Sequence, residues 1–435
     1  MRIAAVRVTP IAIKDPALLN AAGVHEPFGL RSIIEVEGAN GLVGLGETYG
    51  DAPVLSLLLR CKDALVGGSA FDLHRLWQHV QAQAQAQGQA QAQGQAHAGA
   101  GSQQHVEMEL APGSLGSNLA SSAYSAFEVA FLDLQARSLH LPLVELLGGK
   151  VRDKVAYSAY LFYKWDAAVD PEYAPDPYGE ALNPAQIVAQ ARRMIDTYGF
   201  ESIKLKAGVF DPMQEAQAIL ALKAAFPGKP LRIDPNSNWS LATSLQVADA
   251  LRGSLEYFED PTPTLEGMAE VHRATGMPLA TNMVVTNWDE LRRAVQLNAV
   301  QIVLSDHHYW GGLRATQALA QTCQTFGLGL SMHSNSHLGI SLMAMTHLAA
   351  SVQHLSYACD THYPWQSDEV LVGGKVPIVG GCVHLTDQPG LGVELDRTKL
   401  AELHAAFQVC RIRSRNDVAQ MQRYRPEWRQ VKPRF

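Results

Sequence analysis

The sequence predicts an α/β chain: a (β/α)8-type barrel, a smaller α+β domain ahead of it, and a C-terminal segment that packs back on that first domain. Three observations carry this expectation. The length, 435 residues, exceeds one ordinary core but suits a barrel of ~250 residues with a companion domain. From about Val155 onward, short apolar runs are separated by amphipathic helical stretches, the alternation of a parallel sheet wrapped in helices. Before that point the apolar residues recur with period two, as in antiparallel strands.

The alternating stretches run from Arg2 to Ile13 and from Arg31 to Glu47, the second broken by the turn signal Ala39-Asn40-Gly41. Helical periodicity follows from about Val54 to His79 and from Ser121 to Ser138, where Tyr124, Phe127, Phe131 and Leu134 share one face. Between these helices glutamine takes every second position from Gln81 to Gln95, alternating with Ala or Gly, and polar Gly-rich sequence continues to about Gln104. That composition buries little apolar surface, so a mobile insertion is expected over about 81–105. The candidate barrel strands are Val155 to Phe162, Ser202 to Ala207, Pro230 to Pro235, Leu255 to Asp260, Pro278 to Met283, Ala299 to Asp306, Gly327 to His333, and Leu355 to His362. A Pro-rich polar stretch from Trp165 to Pro184 reads as an extended loop over the site. The division expected is 1–125 for the first domain, 126–385 for the barrel and 386–435 for the returning segment.

Apolar residues make up 47% and charged residues 18% of the chain, enough for a sizeable core. A net charge of −7 leaves no basic field of the kind nucleic acid or an anionic membrane attracts, so a small-molecule partner is expected. The five cysteines, Cys61, Cys323, Cys359, Cys382 and Cys410, are scattered and lack C-x-x-C spacing, arguing against both a disulfide framework and a zinc site. With no secretory h-region after Met1 and no apolar run of ~18 residues, a cytoplasmic location is expected.

Barrels of this kind carry their chemistry at the C-terminal ends of the strands. There the second strand holds Lys204-Leu205-Lys206, a two-residue period that sends both amines to one face. The third ends in Asp234-Pro235-Asn236, the fourth in Glu259-Asp260-Pro261 and the fifth in Thr281-Asn282-Met283. Asp234, Glu259 and Asn282 are 25 and 23 positions apart, about one βα unit each, so they fall at equivalent heights on neighbouring strands. Three oxygen donors with room for water and substrate suit a hard octahedral cation such as Mg²⁺. The sixth strand ends in Asp306 and the seventh in His333, a carboxylate beside an imidazole. Each element alone has an ordinary reading: Lys-x-Lys as an exposed face, Asp-Pro as a strand-ending turn, His333 as a hydrogen-bonded core residue. Their ordered occurrence on consecutive strand ends favours the catalytic reading.

The ordered set resembles the enolase superfamily, and the local sequences resemble its glucarate dehydratase group. The segments that carry the likeness are Leu18 to Pro27, Tyr160-Leu161-Phe162-Tyr163, Lys204-Leu205-Lys206, Ala280-Thr281-Asn282-Met283, Met332-His333-Ser334-Asn335 with His337, Asp360-Thr361-His362, and Arg415-Asn416-Asp417. The resemblance implies a modified (β/α)8-type barrel with an N-terminal α+β capping domain completed by the C-terminal segment. It implies Mg²⁺ on Asp234, Glu259 and Asn282, abstraction of a proton α to a carboxylate to give an enediolate, and loss of the β-hydroxyl. Lys206 and His333 are then the two bases. Lys206 is expected to have a pKa lowered by its neighbouring ammonium and the metal, Lys204 to supply a cation to the developing charge, and Asp306 to hold the tautomer of His333. The neutral Asn282 leaves the ligand set one negative charge poorer, which favours a diacid sugar, an aldarate such as D-glucarate or L-idarate. Asn20, His25, Tyr160, Lys204, Asn236, Asn335, His362 and Arg415 are the implied substrate contacts, Arg415 through a bidentate guanidinium. A homo-oligomer is expected. The rival readings are an epimerase or dehydratase of another acid sugar on the same machinery, a metal-dependent barrel hydrolase, for which the early His-x-His pair is missing, and a barrel without activity.

Overall fold

The computed structural model describes residues 1–97 and 118–435. The first domain opens with β1 (Ile3–Lys14), the short pair β2 (Leu19–Asn20) and β3 (Gly23–Val24), then β4 (Phe28–Gly38) and β5 (Val43–Tyr49). β4 lies between β1 and β5 and is antiparallel to both, the turn predicted at Ala39-Asn40-Gly41 joining β4 to β5. Helices α1 (Ala52–Lys62), α2 (Leu73–His97) and α3 (Leu119–Ser138) cover the sheet. At Gly44 and Gly46 of β5 an added Cβ would stand 2.0 Å from the Ala130 carbonyl oxygen and 2.1 Å from that of Ala126, so α3 sits closer to the strand than any side chain permits. Ile34, Val36, Leu57, Phe127 and Phe131 fill the core between these layers.

The expected mobile insertion is corrected in its first part. Gln81 to Gln95 continues α2, because Ala and Gln both favour helix, and the helix starts on an anchored face where Leu76 and Val80 are buried. Gln87 is buried as well and donates from Nε2 to the Pro53 carbonyl oxygen at 3.0 Å. The remainder of the expected insertion, from residue 98 on, lies outside the described residues.

After α4 (Leu143–Leu146) the barrel alternates strand and helix. The elements are β6 (Lys154–Phe162), α5 (Pro184–Tyr198), β7 (Ile203–Lys206), α6 (Pro212–Ala225), β8 (Leu231–Asp234), α7 (Leu241–Ala250), β9 (Tyr257–Glu259) and α8 (Leu265–Thr275). They continue with β10 (Leu279–Thr281), α9 (Trp288–Leu297), β11 (Ile302–Ser305), α10 (Gly312–Thr325), β12 (Gly329–Met332), α11 (Gly339–Ser351) and β13 (Cys359–Asp360). Adjacent strands pair in parallel from β6 to β12, and β13 pairs with β6 through Cys359 opposite Tyr157. The barrel is nearly closed: β12 and β13 share no ladder, but Ser356 N donates to the Leu330 carbonyl oxygen at 2.9 Å. The eighth strand is therefore much shorter than the run from Leu355 to His362 suggested. Near its start Ser331 Oγ, rather than a backbone N–H, donates to the Ala358 carbonyl oxygen at 2.9 Å. Sequence reading missed β14 (Cys382–His384), a short glycine-flanked strand antiparallel to β6.

Each of α5 to α9 starts on a side-chain cap, from Asn183, Asp211, Ser240, Thr264 and Asn287 in turn, which ties down the loop after each preceding strand. Those loops form the face where strand-end residues emerge. After the barrel, α12 (Arg397–Val409) lies along β1 and α13 (Asp417–Tyr424) lies on β3. A Cβ at Gly23 would meet the Asp417 carbonyl oxygen at 2.5 Å, so only glycine fits under α13. The C-terminal segment thus completes the first domain, yet its last residues depart from the expected path. Arg434 N and Phe435 N donate to the Asn238 carbonyl oxygen in the loop after β8, at 2.8 and 3.2 Å. Among the described residues no helix is long and apolar enough to cross a membrane.

Candidate active site

In the short strand β7 the backbone alternation turns Lys204 and Lys206 into the barrel, where both are buried. Lys204 Nζ lies 2.7 Å from Glu259 Oε1, 2.7 Å from Asp360 Oδ2 and 3.3 Å from Asp234 Oδ2. Lys206 Nζ lies 2.6 Å from Asp234 Oδ2 and 2.5 Å from Asn236 Oδ1. Both ammoniums stand over the Tyr160 ring, at 4.7 and 5.9 Å from its centroid. Asp234 and Glu259 end β8 and β9, and Asn282 follows β10 directly, so three oxygen donors emerge from three adjacent strands.

The backbone around them is unusual. Asn236, Ser237 and Asp260 take positive φ values of 53°, 58° and 36°, and such conformations persist where surrounding bonds impose them. Asp234 Oδ1 accepts from Asn236 N at 2.9 Å, and Asp260 accepts from Thr281 Oγ1 at 2.6 Å, Asn282 N at 2.9 Å and Met283 N at 3.1 Å. Asp260, whose carboxyl burial and the nearby Asp234 charge push up to about 6, holds the turn that presents Asn282.

These residues fit a hard cation. All three donors are buried oxygens, and they converge on positive charge that Lys204 and Lys206 now supply. Glu259 Oε2 is 2.6 Å from Lys204 Nζ but out of line for a hydrogen bond, so this carboxylate oxygen keeps a lone pair without a donor. The Asn282 side chain sits between the carboxylates and His333. With its amide nitrogen toward the carboxylates it donates to Asp260 Oδ2 (3.0 Å) and Glu259 Oε1 (3.2 Å), and its oxygen accepts from His333 Nε2 (3.2 Å). Turned over, the same side chain sets its oxygen beside the Glu259 carboxylate, where it can serve a cation as a third oxygen donor.

The lowering expected of the Lys206 pKa supposes a bound metal; the protein's own charges act in the other direction. Burial, the largest single influence, favours its neutral form, but Asp234 together with Tyr160 and Glu259 outweighs it and holds Lys206 above its ordinary value. Reciprocally, burial would raise the Asp234 carboxyl, and Lys206 and Lys204 together hold it below its ordinary value. Glu259 is pushed well up by burial and by the Asp234 charge, against the pull of Lys204.

The dyad expected of Asp306 and His333 is looser than a hydrogen bond. His333 Nδ1 stands 3.9 Å from Asp306 Oδ2, and burial holds the imidazole below its ordinary pKa despite that carboxylate. Asp306 Oδ1 is bound instead to His308, accepting from its backbone N at 2.9 Å and pairing with its Nδ1 at 2.6 Å. His308 was not found from the sequence, although it lies two positions beyond Asp306.

The implied substrate contacts divide. Tyr160, Asn236, His25 and His362 are buried, Tyr160 and Asn236 against the two lysines, and the rings of His25 and His362 are stacked with centroids 6.0 Å apart. His25 Nδ1 is 3.0 Å from Asp15 Oδ2, and His362, held down to about 3 by burial, has an Nε2 with no partner. Asn335 Nδ2 donates to the Tyr49 hydroxyl at 3.2 Å, bridging to the first domain. Asn20 and Arg415 both bind Asp417. Asn20 Nδ2 reaches Asp417 Oδ2 at 2.6 Å, and Arg415 Nε and Nη2 bind its two oxygens at 2.8 and 2.6 Å. The bidentate fork foreseen for a substrate carboxylate is filled by a protein carboxylate two residues away.

Comparison with known proteins places this geometry among relatives. Residues 3–148 match the model of the mandelate racemase / muconate lactonizing enzyme N-terminal domain, and residues 186–399 match that of the enolase C-terminal domain-like family. The chain is 51% identical over 98% of its length, and 97% of the relative's, to the "Probable glucarate dehydratase" of Streptomyces coelicolor. It is similar to the crystal structure of an enolase from Pseudomonas fluorescens with bound magnesium, potassium and tartrate, with a TM-score of 0.94 and 60% identity covering 100% of this chain and 99% of that one. A second enolase structure, from Thermobispora bispora with magnesium and formate, gives a TM-score of 0.92 at 48% identity, with 100% of each chain covered.

Proposed function

The chain belongs to the enolase superfamily, and from that premise we propose that it is a Mg²⁺-dependent dehydratase of an aldarate, acting on D-glucarate and its epimer L-idarate. The product is 5-dehydro-4-deoxy-D-glucarate, with water released. The observation that carries this reading is the ordering of one buried oxygen cluster, Asp234, Glu259 and Asn282 on β8 to β10, between Lys206 on β7 and His333 after β12. That order gives an α-carbon held at the cluster a nitrogen base on either side. The likeness to a probable glucarate dehydratase, and to a structure with magnesium and the small diacid tartrate, supports the cofactor and the substrate class.

Asp234, Glu259 and Asn282 would hold the ion. When bound, Mg²⁺ supplies positive charge at the substrate carboxylate and so lowers the cost of ionising the neighbouring carbon. Lys206 takes the α-hydrogen from one epimer and His333 from the other; the C–H electron pair becomes the C=C bond of an enediolate. Lys204, buried and fully charged, offers its ammonium to the developing negative charge. The β C–O bond then breaks and His333 gives a proton to the departing hydroxide: the one it abstracted on its own face or, where Lys206 is the base, one it carries on entering as imidazolium while Lys206 keeps the abstracted proton. The enol product then tautomerises to the keto acid. Lys206 acts as a base only when Asp234 is engaged elsewhere, because their 2.6 Å pairing keeps the amine protonated. Asn20, His25, Tyr160, Asn236, Asn335, His362 and Arg415 orient the hydroxyls and the far carboxylate, Asn20 and Arg415 being braced by Asp417.

The test is a panel of aldarates and aldonates incubated with Mg²⁺ and scored for 2-keto acid. D-Glucarate should be turned over. Absence of keto acid from every diacid would refute the substrate class.

A further inference from the structure

One buried network outside the metal cluster joins the first domain to His333. Arg31 of β4 donates from Nε to Glu47 Oε1 on β5 at 2.8 Å. Glu47 in turn accepts from Leu338 N at 2.8 Å and Ser341 N at 2.8 Å, so a first-domain carboxylate caps the N-terminus of α11, the helix that begins just after the His333 loop. Arg31 Nη2 also stands 3.4 Å from His308 Nε2, and Ser341 Oγ stands 3.0 Å from the same nitrogen. Arg31, Glu47, His308 and Asp306 are all buried.

This geometry favours one tautomer. A carboxylate can only accept, so His308 Nδ1 facing Asp306 carries a proton; at Nε2 the Arg31 guanidinium can only donate and the Ser341 hydroxyl can turn to donate, which favours the neutral Nδ1–H tautomer. Nδ1–H then donates to Asp306 Oδ1 at 2.6 Å, beside the His308 backbone N–H at 2.9 Å on the same oxygen. With Oδ1 tied twice, Asp306 Oδ2 is left without a partner and aimed at His333 Nδ1, 3.9 Å away.

We infer that His308 is a positioning residue for the Asp306–His333 pair, held in its Nδ1–H tautomer by the Arg31–Glu47 pair of the capping domain. The inference rests on the proposed reading of His333 as the second base. It makes the capping domain part of the His333 half of the machinery, whereas the Lys206 half is built within the barrel. Outer partners that orient an imidazole or its carboxylate commonly change activity by ~10–100-fold.

The experiment compares His308→Gln with His308→Asn by NMR of α-hydrogen exchange in D₂O, using D-glucarate and L-idarate with Mg²⁺. The asparagine amide sits near the Nδ1 position and keeps the donor to Asp306; the glutamine amide reaches only toward Nε2. The expected result is ~10–100-fold slower exchange of the epimer served by His333 in the Gln variant, unchanged exchange of the epimer served by Lys206, and recovery at the His333 face in the Asn variant. Wild-type exchange at the His333 face in the Gln variant, or equal loss at both faces, would overturn the inference. Exchange of neither epimer by the wild-type enzyme would instead overturn the two-base reading on which it depends. Independently of any variant, the ¹⁵N shifts of His308 in the wild-type protein should report a protonated Nδ1, and an Nε2–H tautomer would overturn the assignment.

Discussion

Lys206 Nζ lies 2.6 Å from Asp234 Oδ2, so the residue read as a base is paired with a residue read as a metal ligand. Each holds the other charged, and a cation taken up by Asp234 competes with that ammonium. Chelation should therefore abolish activity. Mg²⁺ or Mn²⁺ should restore it and Zn²⁺ should do so poorly, because the donors are hard oxygens. Asp234→Ala and Glu259→Ala should each remove Mg²⁺ binding by calorimetric titration while the protein stays folded. Full activity in a chelated, metal-free preparation would contradict the assignment.

Asp360 bridges two buried cations, Lys204 at 2.7 Å and Arg232 at 3.3 Å. Removing a partner from such a pair strands a charge in the interior, which typically costs ~3–5 kcal/mol. Asp360→Ala should lower the urea midpoint accordingly, and Asp360→Asn, which keeps an acceptor, should lower it less. A loss below ~1 kcal/mol, the value of an exposed pair, would show that Lys204 and Arg232 find other partners.

Glu128 of α3 accepts from the backbone of Leu313 and Arg314 at the start of α10, and burial pushes its carboxyl from 4.5 up to about 7. In that pH interval the folded state binds the proton more tightly than the unfolded state. Its contribution to stability is therefore full below about 4.5 and is lost as pH rises through about 7. Glu128→Gln should flatten this part of the profile, so denaturation midpoints at pH 5 and pH 8 should differ less in the variant than in the wild type. Parallel profiles would place the proton elsewhere.

The glutamine-rich helix α2 is anchored on the first domain by Leu76, Val80 and Gln87. Leu76→Ala removes a buried side chain of the first-domain core and should destabilise by ~2–5 kcal/mol. Thermal or chemical unfolding measures it, and a change within ~0.5 kcal/mol, as at a surface position, would mean that α2 does not pack as described.

The barrel was legible because its signals are local. Each apolar run is a strand interior, and each Lys, Asp, Glu or Asn at a run's end emerges on the face where the capped helices begin. α2 was misread because alternating Gln and Ala carry no amphipathic period, although both residues favour helix. The site was legible where it depends on one strand end per residue, as with Asp234, Glu259, Asn282 and Lys204. It was illegible where partners come from distant segments. Nothing in the local sequence of Asp417 says that it answers Asn20, 397 positions away, and nothing near Asp306 says that Arg31 orients its neighbour His308. Such pairings depend on how the first domain and the C-terminal segment meet the barrel.

The central claim is that two bases serve one enediolate from opposite faces. α-Hydrogen exchange in D₂O, followed by NMR alongside keto-acid formation in Lys206→Ala and His333→Ala, tests it most directly. Lys206→Ala should lose exchange of one epimer and keep exchange of the other through His333. His333→Ala should stop dehydration of both epimers, with losses of at least ~10²–10⁴-fold, the usual worth of a positioned acid or base. Near-native dehydration by His333→Ala, or loss of exchange at both faces from Lys206→Ala alone, would contradict the account.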